Sequence, residues 1–128
     1  MADTLDFSLV CPERELFRGA VKSVTVCGTE GIFMVLPHHS MFMSTLAPGL
    51  LVIETDEGKT SYYVRGGFAD VNPDGVIVLA EIAVPEGELT GDVLRQEQEF
   101  AEAALNDNNA DTDERLNAER ARTVLAAY

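Results

Sequence analysis

The stretch that decides the fold reads VRGGFADVNPDGVIVLAE over residues 64–81. Its apolar segments at 68–71 and from 76 onward are rich in residues that favour β-strands, and Asn-Pro-Asp-Gly at 72–75 is a strong turn signal. Gly66-Gly67 lies outside any phosphate-binding pattern and predicts a tight turn between strands. The stretch therefore predicts two short strands around one turn, preceded by another turn.

The sequence on the N-terminal side repeats this pattern of short apolar segments and turns. Glycine- or proline-containing turn signals recur about every 8–12 residues, a spacing typical of an all-β sandwich or barrel. A single sheet of this size leaves one face wet, whereas two packed sheets bury the apolar side of each strand. We therefore predict a two-sheet β-sandwich domain over residues 1–86.

The composition changes after Gly91, beyond which the chain contains neither glycine nor proline. Their absence permits long helices, so we predict a C-terminal helical hairpin over residues 87–128 and an α+β fold for the whole chain. The first helix is expected from about Gly91 to Leu105, with its acidic residues Glu97, Glu99 and Glu102 facing outward.

The second predicted helix starts at Asp111, whose carboxylate is placed to cap free backbone N–H groups, with Glu114 three residues later. The two helices are expected to pair antiparallel. Their apolar stripes, which include Phe100 on the first helix and Leu116 on the second, are thin and rich in alanine, so the hairpin has little area to bury. We expect it to depend on the sandwich or on a partner for its stability.

The net charge is −13, from 22 acidic residues against 9 basic ones in 128 residues. Such a surface repels phosphate backbones and anionic lipids, which argues against nucleic-acid binding and unassisted membrane docking. No apolar run approaches the roughly 18 residues of a membrane helix, and the N-terminus lacks the pattern of a signal peptide. We expect a cytoplasmic protein without direct membrane insertion.

The two cysteines, Cys11 and Cys27, sit in apolar surroundings without CxxC spacing or a nearby histidine. We interpret them as buried, reduced thiols, since free cysteine is among the most buried residue types. A disulfide between them requires that their two strands be neighbours, which the sequence does not determine.

His38-His39 is the one histidine pair, and it supports an alternative of a different class. The alternative is a small metal-binding β-sandwich enzyme that uses this pair together with a carboxylate such as Glu30 or Glu81. Adjacent strand residues face opposite ways, however, and a metal site needs three or four converging ligands. Ser40 follows His39 without a nucleophile-elbow pattern. We therefore expect no catalytic site, no metal and no cofactor.

Met41, Phe42 and Met43 form an apolar cluster close to turn residues. Methionine-rich loops suit adaptable protein contacts, although the same segment also fits an ordinary buried strand. The residues alone thus favour a binding or interaction module over an enzyme, and a generic acidic interaction domain remains a further alternative.

Several strings, taken together, resemble the ε subunit of F-type ATP synthases over about residues 7–84. The first half matches in Cys27-Gly28-Thr29-Glu30-Gly31, in Leu36-Pro37-His38-His39 and in Leu46-Ala47-Pro48-Gly49. The second half matches in the stretch at 64–81 quoted above. The order and spacing of these strings agree with that family, as does a sandwich followed by a hairpin.

The resemblance implies a non-catalytic subunit of the rotor's central stalk. Members of that family bind the γ subunit and the c-ring, at the cytoplasmic face of the bacterial inner membrane, and couple proton flow to ATP synthesis. Their hairpin can also reach the catalytic head. By this match we expect Glu30 and His39 to contact the c-ring. Cys11 and the segment Met41, Phe42 and Met43 are expected at the γ subunit or the ring.

Two departures from the family pattern bear on ligands and loops. The family commonly has Gly-His-Ala-Pro where this chain has His38-His39-Ser40-Met41. A nucleotide motif found in some members is reduced here to Asp92 and Arg95, without its flanking apolar residue and alanine. Because such pairs occur often on surface helices, we expect this candidate site to bind no nucleotide.

The charge of the hairpin bears on inhibition of ATP hydrolysis. Inhibitory hairpins in the family tend to be basic, whereas residues 89–128 carry 9 acidic and 4 basic side chains. An acidic hairpin binds an acidic catalytic surface poorly. We therefore expect inhibition to be weak or absent.

Overall fold

The computed structural model describes residues 4–37 and 41–128, and it shows a strand-rich part followed by two helices. The strands are β1 (Leu5–Cys11), β2 (Arg14–Val21), β3 (Ser23–Gly28), β4 (Gly31–Val35), β5 (Phe42–Thr45), β6 (Gly49–Thr55), β7 (Gly58–Asn72) and β8 (Gly75–Pro85). A short 3₁₀ helix at Glu86–Glu88 leads into α1 (Gly91–Asn106) and α2 (Thr112–Leu125). The predicted α+β order is confirmed.

The strands form two layers that share β7 and β8. Hydrogen bonds connect them in the order β2-β1-β8-β7-β6-β3-β4, and β5 pairs with the second half of β7. The first half of β7 pairs with β6. We call the side with β1, β2 and β5 the β1 layer and the side with β3, β4 and β6 the β3 layer. Only the β1–β8 pair is parallel among the described strand pairs.

Gly66-Gly67 does not form a turn between strands, so that prediction was wrong. Both residues lie inside β7, at φ +76° and +98°, where its pairing passes from β6 to β5. Glycine adopts such values without steric cost. A Cβ on Gly67 would lie 1.9 Å from the carbonyl oxygen of Leu79. The two glycines therefore bend one long strand between the layers.

The core lies between the two layers and follows from alternation along the strands. Phe7 and Leu9 on β1 and Leu51 and Ile53 on β6 are at most 1% exposed, while their chain neighbours face outward. Side chains in a strand point alternately to opposite faces, so one face of each layer supplies this core. The predicted sandwich is confirmed.

The hairpin packs on the outer face of the β3 layer. Leu50, Tyr63 and Val84 form one row across β6, β7 and β8, and this row contacts the apolar side chains of the helices. Leu125 of α2 is fully buried there. Asp111 caps α2 as expected, since its carboxylate accepts a hydrogen bond from the Glu114 N–H at 2.8 Å.

Some predicted orientations on the helices were wrong. Glu97 is buried and not outward, because Arg65 of β7 lies against it. Phe100 and Leu116 were placed on the apolar stripes but are 53% and 44% exposed. The narrow contact is made mainly by small side chains, Ala101, Ala118 and Ala121.

Other features of the fold bear on the expectations above. Cys11 and Cys27 are free thiols, Cys27 buried and Cys11 half-buried. The strands end at Pro85 and α1 begins at Gly91, while the division into folding units at residues 86 and 87 stays a prediction. None of the helices in the described ranges is long and apolar enough to cross a membrane.

Candidate functional site

The outer face of the β1 layer carries exposed and half-buried apolar side chains, which we call the β1 face: the exposed Met43, Ile77 and Leu79 and the half-buried Val10 and Phe68. Val10 and Phe68 both lie opposite Leu79 in the strand register, and Met43 and Ile77 both lie opposite Asp70. Ile77 and Leu79 are 44% and 41% exposed. The hairpin packs on the outer face of the β3 layer, so this apolar face is open for a partner.

The sequence contains a signal for this face. Residues 76–80 on β8 are continuously apolar, where a strand with one wet face alternates apolar and polar residues. Val76, Val78 and Ala80 are buried in the core. Ile77 and Leu79, which alternate with them along the strand, face outward. A strand that is apolar on both faces is typical of strands that are covered on both faces.

A groove at one end of the sandwich brings together several residues predicted to contact partners. We call it the Glu30 groove, a space of about 510 Å³ lined by Glu30, Ile32, Phe33, Phe42 and Met43. The rings of Phe33 and Phe42 meet edge to face, 5.0 Å between centroids. Ile32 is 79% exposed. The groove thus combines one carboxylate with a broad apolar rim.

Contacts between neighbouring strands hold the turn that presents Glu30. The Thr29 N–H donates to the Thr45 carbonyl at 3.0 Å, and the hydroxyls of these two residues are 2.7 Å apart. On the hairpin side, the guanidinium of Arg120 donates to the Thr29 carbonyl at 3.1 Å. The Glu30 turn is therefore tied both to β5 and to α2.

The remaining predicted contact residues do not all join this groove. Met41 is exposed beside it, while Cys11 lies at the far end of β1 in a separate groove with Phe68 and Leu79. Cys11 therefore borders the β1 face. His39 lies outside the described residues, as do His38 and Ser40. Its role at the partner surface stays a prediction.

A charged cluster lies between the sandwich and α1. Arg65 Nε donates to Glu97 Oε1 at 2.7 Å, and its Nη2 donates to Oε2 at 3.4 Å. The guanidinium carbon lies 3.8 Å from the centroid of the Phe100 ring, a cation–π distance. The sequence did not predict this cluster, because its members are far apart along the chain.

Tyr63 lies beneath this cluster at the bottom of the contact between hairpin and sandwich. Its hydroxyl is buried and has no hydrogen-bond partner within residues 4–37 and 41–128. Burial raises the pKa of Tyr63 well above its usual range, and the negative charge of Glu97 raises it further. Burial also raises the pKa of the Cys27 thiol to about 11, which keeps this thiol protonated and unreactive near neutral pH.

Asp92 and Arg95 form an ion pair one turn apart on α1, and their side chains are 79% and 65% exposed. Exposed pairs of this kind contribute little to stability. That the pair binds no nucleotide stays a prediction. No group of three or more potential metal ligands occurs among the described residues, which do not include the two histidines.

Comparisons with known proteins agree with this architecture. Residues 4–86 match the model of the family described as ATP synthase, Delta/Epsilon chain, beta-sandwich domain. The ATP synthase epsilon chain of Hyphomonas neptunium is 48% identical over 82% of this chain and 78% of its own length. The ATP synthase epsilon chain of Ruegeria sp. is 39% identical over 98% of this chain and 92% of its own length.

Solved structures give the same result for the fold. A chain in the Euglena gracilis mitochondrial ATP synthase, described with OSCP, F1 and c-ring, superposes with a TM-score of 0.71 and 29% identity, covering 98% of this chain and 79% of that one. A chain from the Tetrahymena thermophila central stalk and c-ring superposes equally well at 13% identity, which shows the fold alone. The chain belongs to the family of the ATP synthase epsilon chains, non-catalytic subunits of that complex.

Proposed function

We propose that this chain is a central-stalk subunit that binds the γ subunit through the β1 face and the c-ring through the Glu30 groove. In this position it couples proton flow to ATP synthesis. The observation that carries the proposal is the β1 face, where Ile77 and Leu79 are more than two-fifths exposed on a strand that is apolar on both sides. A permanent partner on this face removes that apolar surface from water.

The Glu30 groove supports the second contact. Its rim holds the exposed side chains of Ile32 and Met43, and flexible methionine side chains adapt to the surface they meet. The groove lies next to the β1 face, because Met43 belongs to both. One partner surface continuing into the other fits a subunit placed where a stalk meets a ring, peripheral to the cytoplasmic face of the bacterial inner membrane.

We propose in addition that the hairpin reaches the catalytic head weakly and inhibits ATP hydrolysis little. The hairpin carries more acidic than basic side chains, and among its bases Arg120 and Arg122 already contact Thr29 and Glu102. Cations that are already paired contribute less to a new acidic surface. If removal of residues 89–128 raised the ATPase rate of the assembled complex several-fold, this part of the proposal would be wrong.

The test of γ binding is co-purification of this chain with its matching γ subunit, followed by mass determination of the complex. We expect a one-to-one complex. Leu79→Glu places a charge in the β1 face and should weaken the complex by about a hundredfold, as expected for a central apolar contact. Leu116→Glu is the matched control, since Leu116 is equally exposed but lies on the hairpin.

The outcomes separate the proposal from its alternatives. If folded wild-type chain and competent γ form no complex, the central-stalk assignment is wrong. If Leu116→Glu weakens the complex as much as Leu79→Glu, the γ subunit binds the hairpin side and the β1 face is not its site. Glu30→Gln should leave γ binding unchanged and weaken attachment to the assembled ring.

A further inference from the structure

The hairpin is attached to the sandwich by a small apolar area. The helices contribute Ala101, Ala121 and Leu125 to the buried cluster on the β3 layer, with Leu94 and Val124 partly buried against it, and the two alanines are the smallest apolar side chains that can pack. At about 25 cal/mol per Å² of buried apolar surface, alanines add little free energy. Burial of Leu125 holds α2 on the sandwich, whereas α1 contributes mainly Ala101 and needs a more directed contact to fix its position.

The Arg65–Glu97 pair is placed to do this. It joins the middle of β7 to the middle of α1, residues separated by 32 positions in the chain. Both side chains are largely withdrawn from water, with 17% and 11% of their surfaces exposed. Two N–H groups of the guanidinium face the two carboxylate oxygens, a geometry that fixes direction as well as distance.

Phe100 closes this pair from the side. Its ring lies one helical turn beyond Glu97 and stacks on the guanidinium of Arg65 at 3.8 Å. The ring excludes water from one face of the pair, and low local dielectric strengthens the attraction between the charges. This explains why an apolar residue that is 53% exposed sits on the outer part of α1.

Moving the hairpin away from the sandwich and removing one charge of the pair have different costs. If the hairpin moves away with both residues intact, each charge returns to water and is solvated. If one charge is removed while the hairpin stays, the other remains half-buried without a partner, which is the strongly unfavourable case. The docked position therefore requires both charges, whereas the released position requires neither.

We propose that Arg65, Glu97 and Phe100 form a catch that holds the hairpin in one position on the sandwich and sets how often it is released. Arg65 and Glu97 define that position, and Phe100 shields them. Arg120 of α2 contacts the Thr29 carbonyl in a half-buried position, and Tyr128, after the end of α2, contacts Glu86 in an exposed one.

Charge reversal tests the catch in the full-length chain, with hydrogen exchange of the α1 amides as the measurement. Arg65→Glu and Glu97→Arg each bring like charges together in a half-buried site. Each should speed α1 exchange about tenfold or more relative to wild type, since the interaction is worth at least one factor of ten when one partner is removed. The strands of the β1 layer should exchange at the wild-type rate.

The double variant carrying both reversals restores an opposite-charge pair and should recover most of the lost protection. A residue that acts only through helix propensity or packing does not give such recovery, because its effects add. Phe100→Leu keeps the ion pair and removes the stacking, so a smaller acceleration of about threefold is expected. Arg95→Glu is the control, since it reverses an exposed charge on the same helix.

The catch is overturned if either single reversal leaves α1 exchange within twofold of wild type, or if the acceleration in the double variant equals the product of the accelerations in the two single variants, as independent effects give. It is also overturned if Arg95→Glu accelerates α1 as much as Glu97→Arg. The measurement needs no γ subunit and no ring. The catch therefore stands or falls separately from the proposed partners.

Discussion

In the sandwich, β-strands from both layers contribute Phe7, Leu9, Leu51 and Ile53 to a continuous core. In the hairpin, the helices contribute alanines and Leu125 to a small cluster, and an ion pair crosses the contact. The first arrangement depends on large apolar side chains that interdigitate, whereas the second depends on a few directed contacts. We therefore expect the hairpin to open more readily than the sandwich.

This comparison implies that substitutions in the two regions have effects of different extent. A change in the shared strands should destabilise the whole sandwich, because the core joins both layers. A change under the hairpin should release the helices and leave the sandwich folded. The three predictions below separate these cases, beginning with the substitution expected to destabilise most.

Gly67→Ala should have the largest effect. The new Cβ would meet the backbone of Leu79 and Ala80, and φ of +98° is unfavourable for alanine. We expect a loss of about 3 kcal/mol or more in the free energy of unfolding, from strain and overlap together. Urea unfolding of the purified chain measures it.

Gly87→Ala is the control for this prediction. A Cβ at position 87 meets nothing within 4 Å, and the residue lies in the exposed linker. Its stability should stay within about 0.5 kcal/mol of wild type. Equal unfolding midpoints for Gly67→Ala and wild type would show that β7 does not need its bend.

Leu125→Ala should have the next largest effect, and a local one. Leu125 is fully buried against the β3 layer, and its truncation should cost about 2–5 kcal/mol of the contact that docks α2. We expect tryptic cleavage after Arg115 and Arg122 to become at least about tenfold faster, because cleavage follows the population of the open form.

Leu116→Ala is the matched control on the same helix, since Leu116 is 44% exposed. Its cleavage rate should remain near that of wild type. The sandwich should keep its own unfolding midpoint in the Leu125→Ala variant. Loss of the whole fold there would mean that the two regions unfold as one unit and would remove the contrast drawn above.

Tyr128 gives the smallest expected effect, which depends on pH. Its hydroxyl donates to the Glu86 carboxylate, and this bond raises the pKa of Tyr128 to about 12. The unfolded chain, with an ordinary pKa near 10, loses the proton first. The stabilisation is therefore complete below about pH 10 and is lost as pH rises through about 12.

Tyr128→Phe should reduce stability by about 0.5 kcal/mol at pH 8, a low value because the bond is exposed to solvent. The difference from wild type should close between about pH 10 and 12, as the linkage requires. Denaturant midpoints across this range measure it. Glu86→Gln should have no further effect once Tyr128 is replaced. If the stability difference between Tyr128→Phe and wild type stays constant with pH, the contact between Tyr128 and Glu86 is contradicted.

Much of the fold was predictable because it depends on local patterns. Apolar segments bounded by turn signals gave the sandwich, and the absence of glycine and proline after Gly91 gave the hairpin. The cap at Asp111 was predictable for the same reason, since Glu114 lies three residues away. Each of these features is determined within a short window of sequence.

The bend in β7 and the orientation of Glu97 were not predictable in this way. Glycine at positive φ occurs both in turns and inside bent strands. The sequence around Gly66 and Gly67 does not distinguish these two structures. Glu97 is drawn inward by Arg65, which the fold brings to it from a distant strand. A hydropathy stripe on one helix contains no information about a charge on another element.

The candidate surfaces show the same division. Glu30, Phe42 and Met43 were predicted from the resemblance, and the structure brings them to one groove. The β1 face was missed, since its side chains come from β1, β5, β7 and β8 and adjoin only after the strands pair. The apolar pattern at residues 76–80 is visible in the sequence. The strand register that brings these side chains beside those of the other strands is not.

The bend at Gly66-Gly67 also has a mechanical consequence. Because β7 continues through it, the layer that carries the Glu30 turn and the layer that carries Leu79 are joined by covalent backbone and by a ladder of interstrand hydrogen bonds. A torque applied at one end of the sandwich is thus carried along the strand in shear. Two sheets held together only by side chains would slip under the same load.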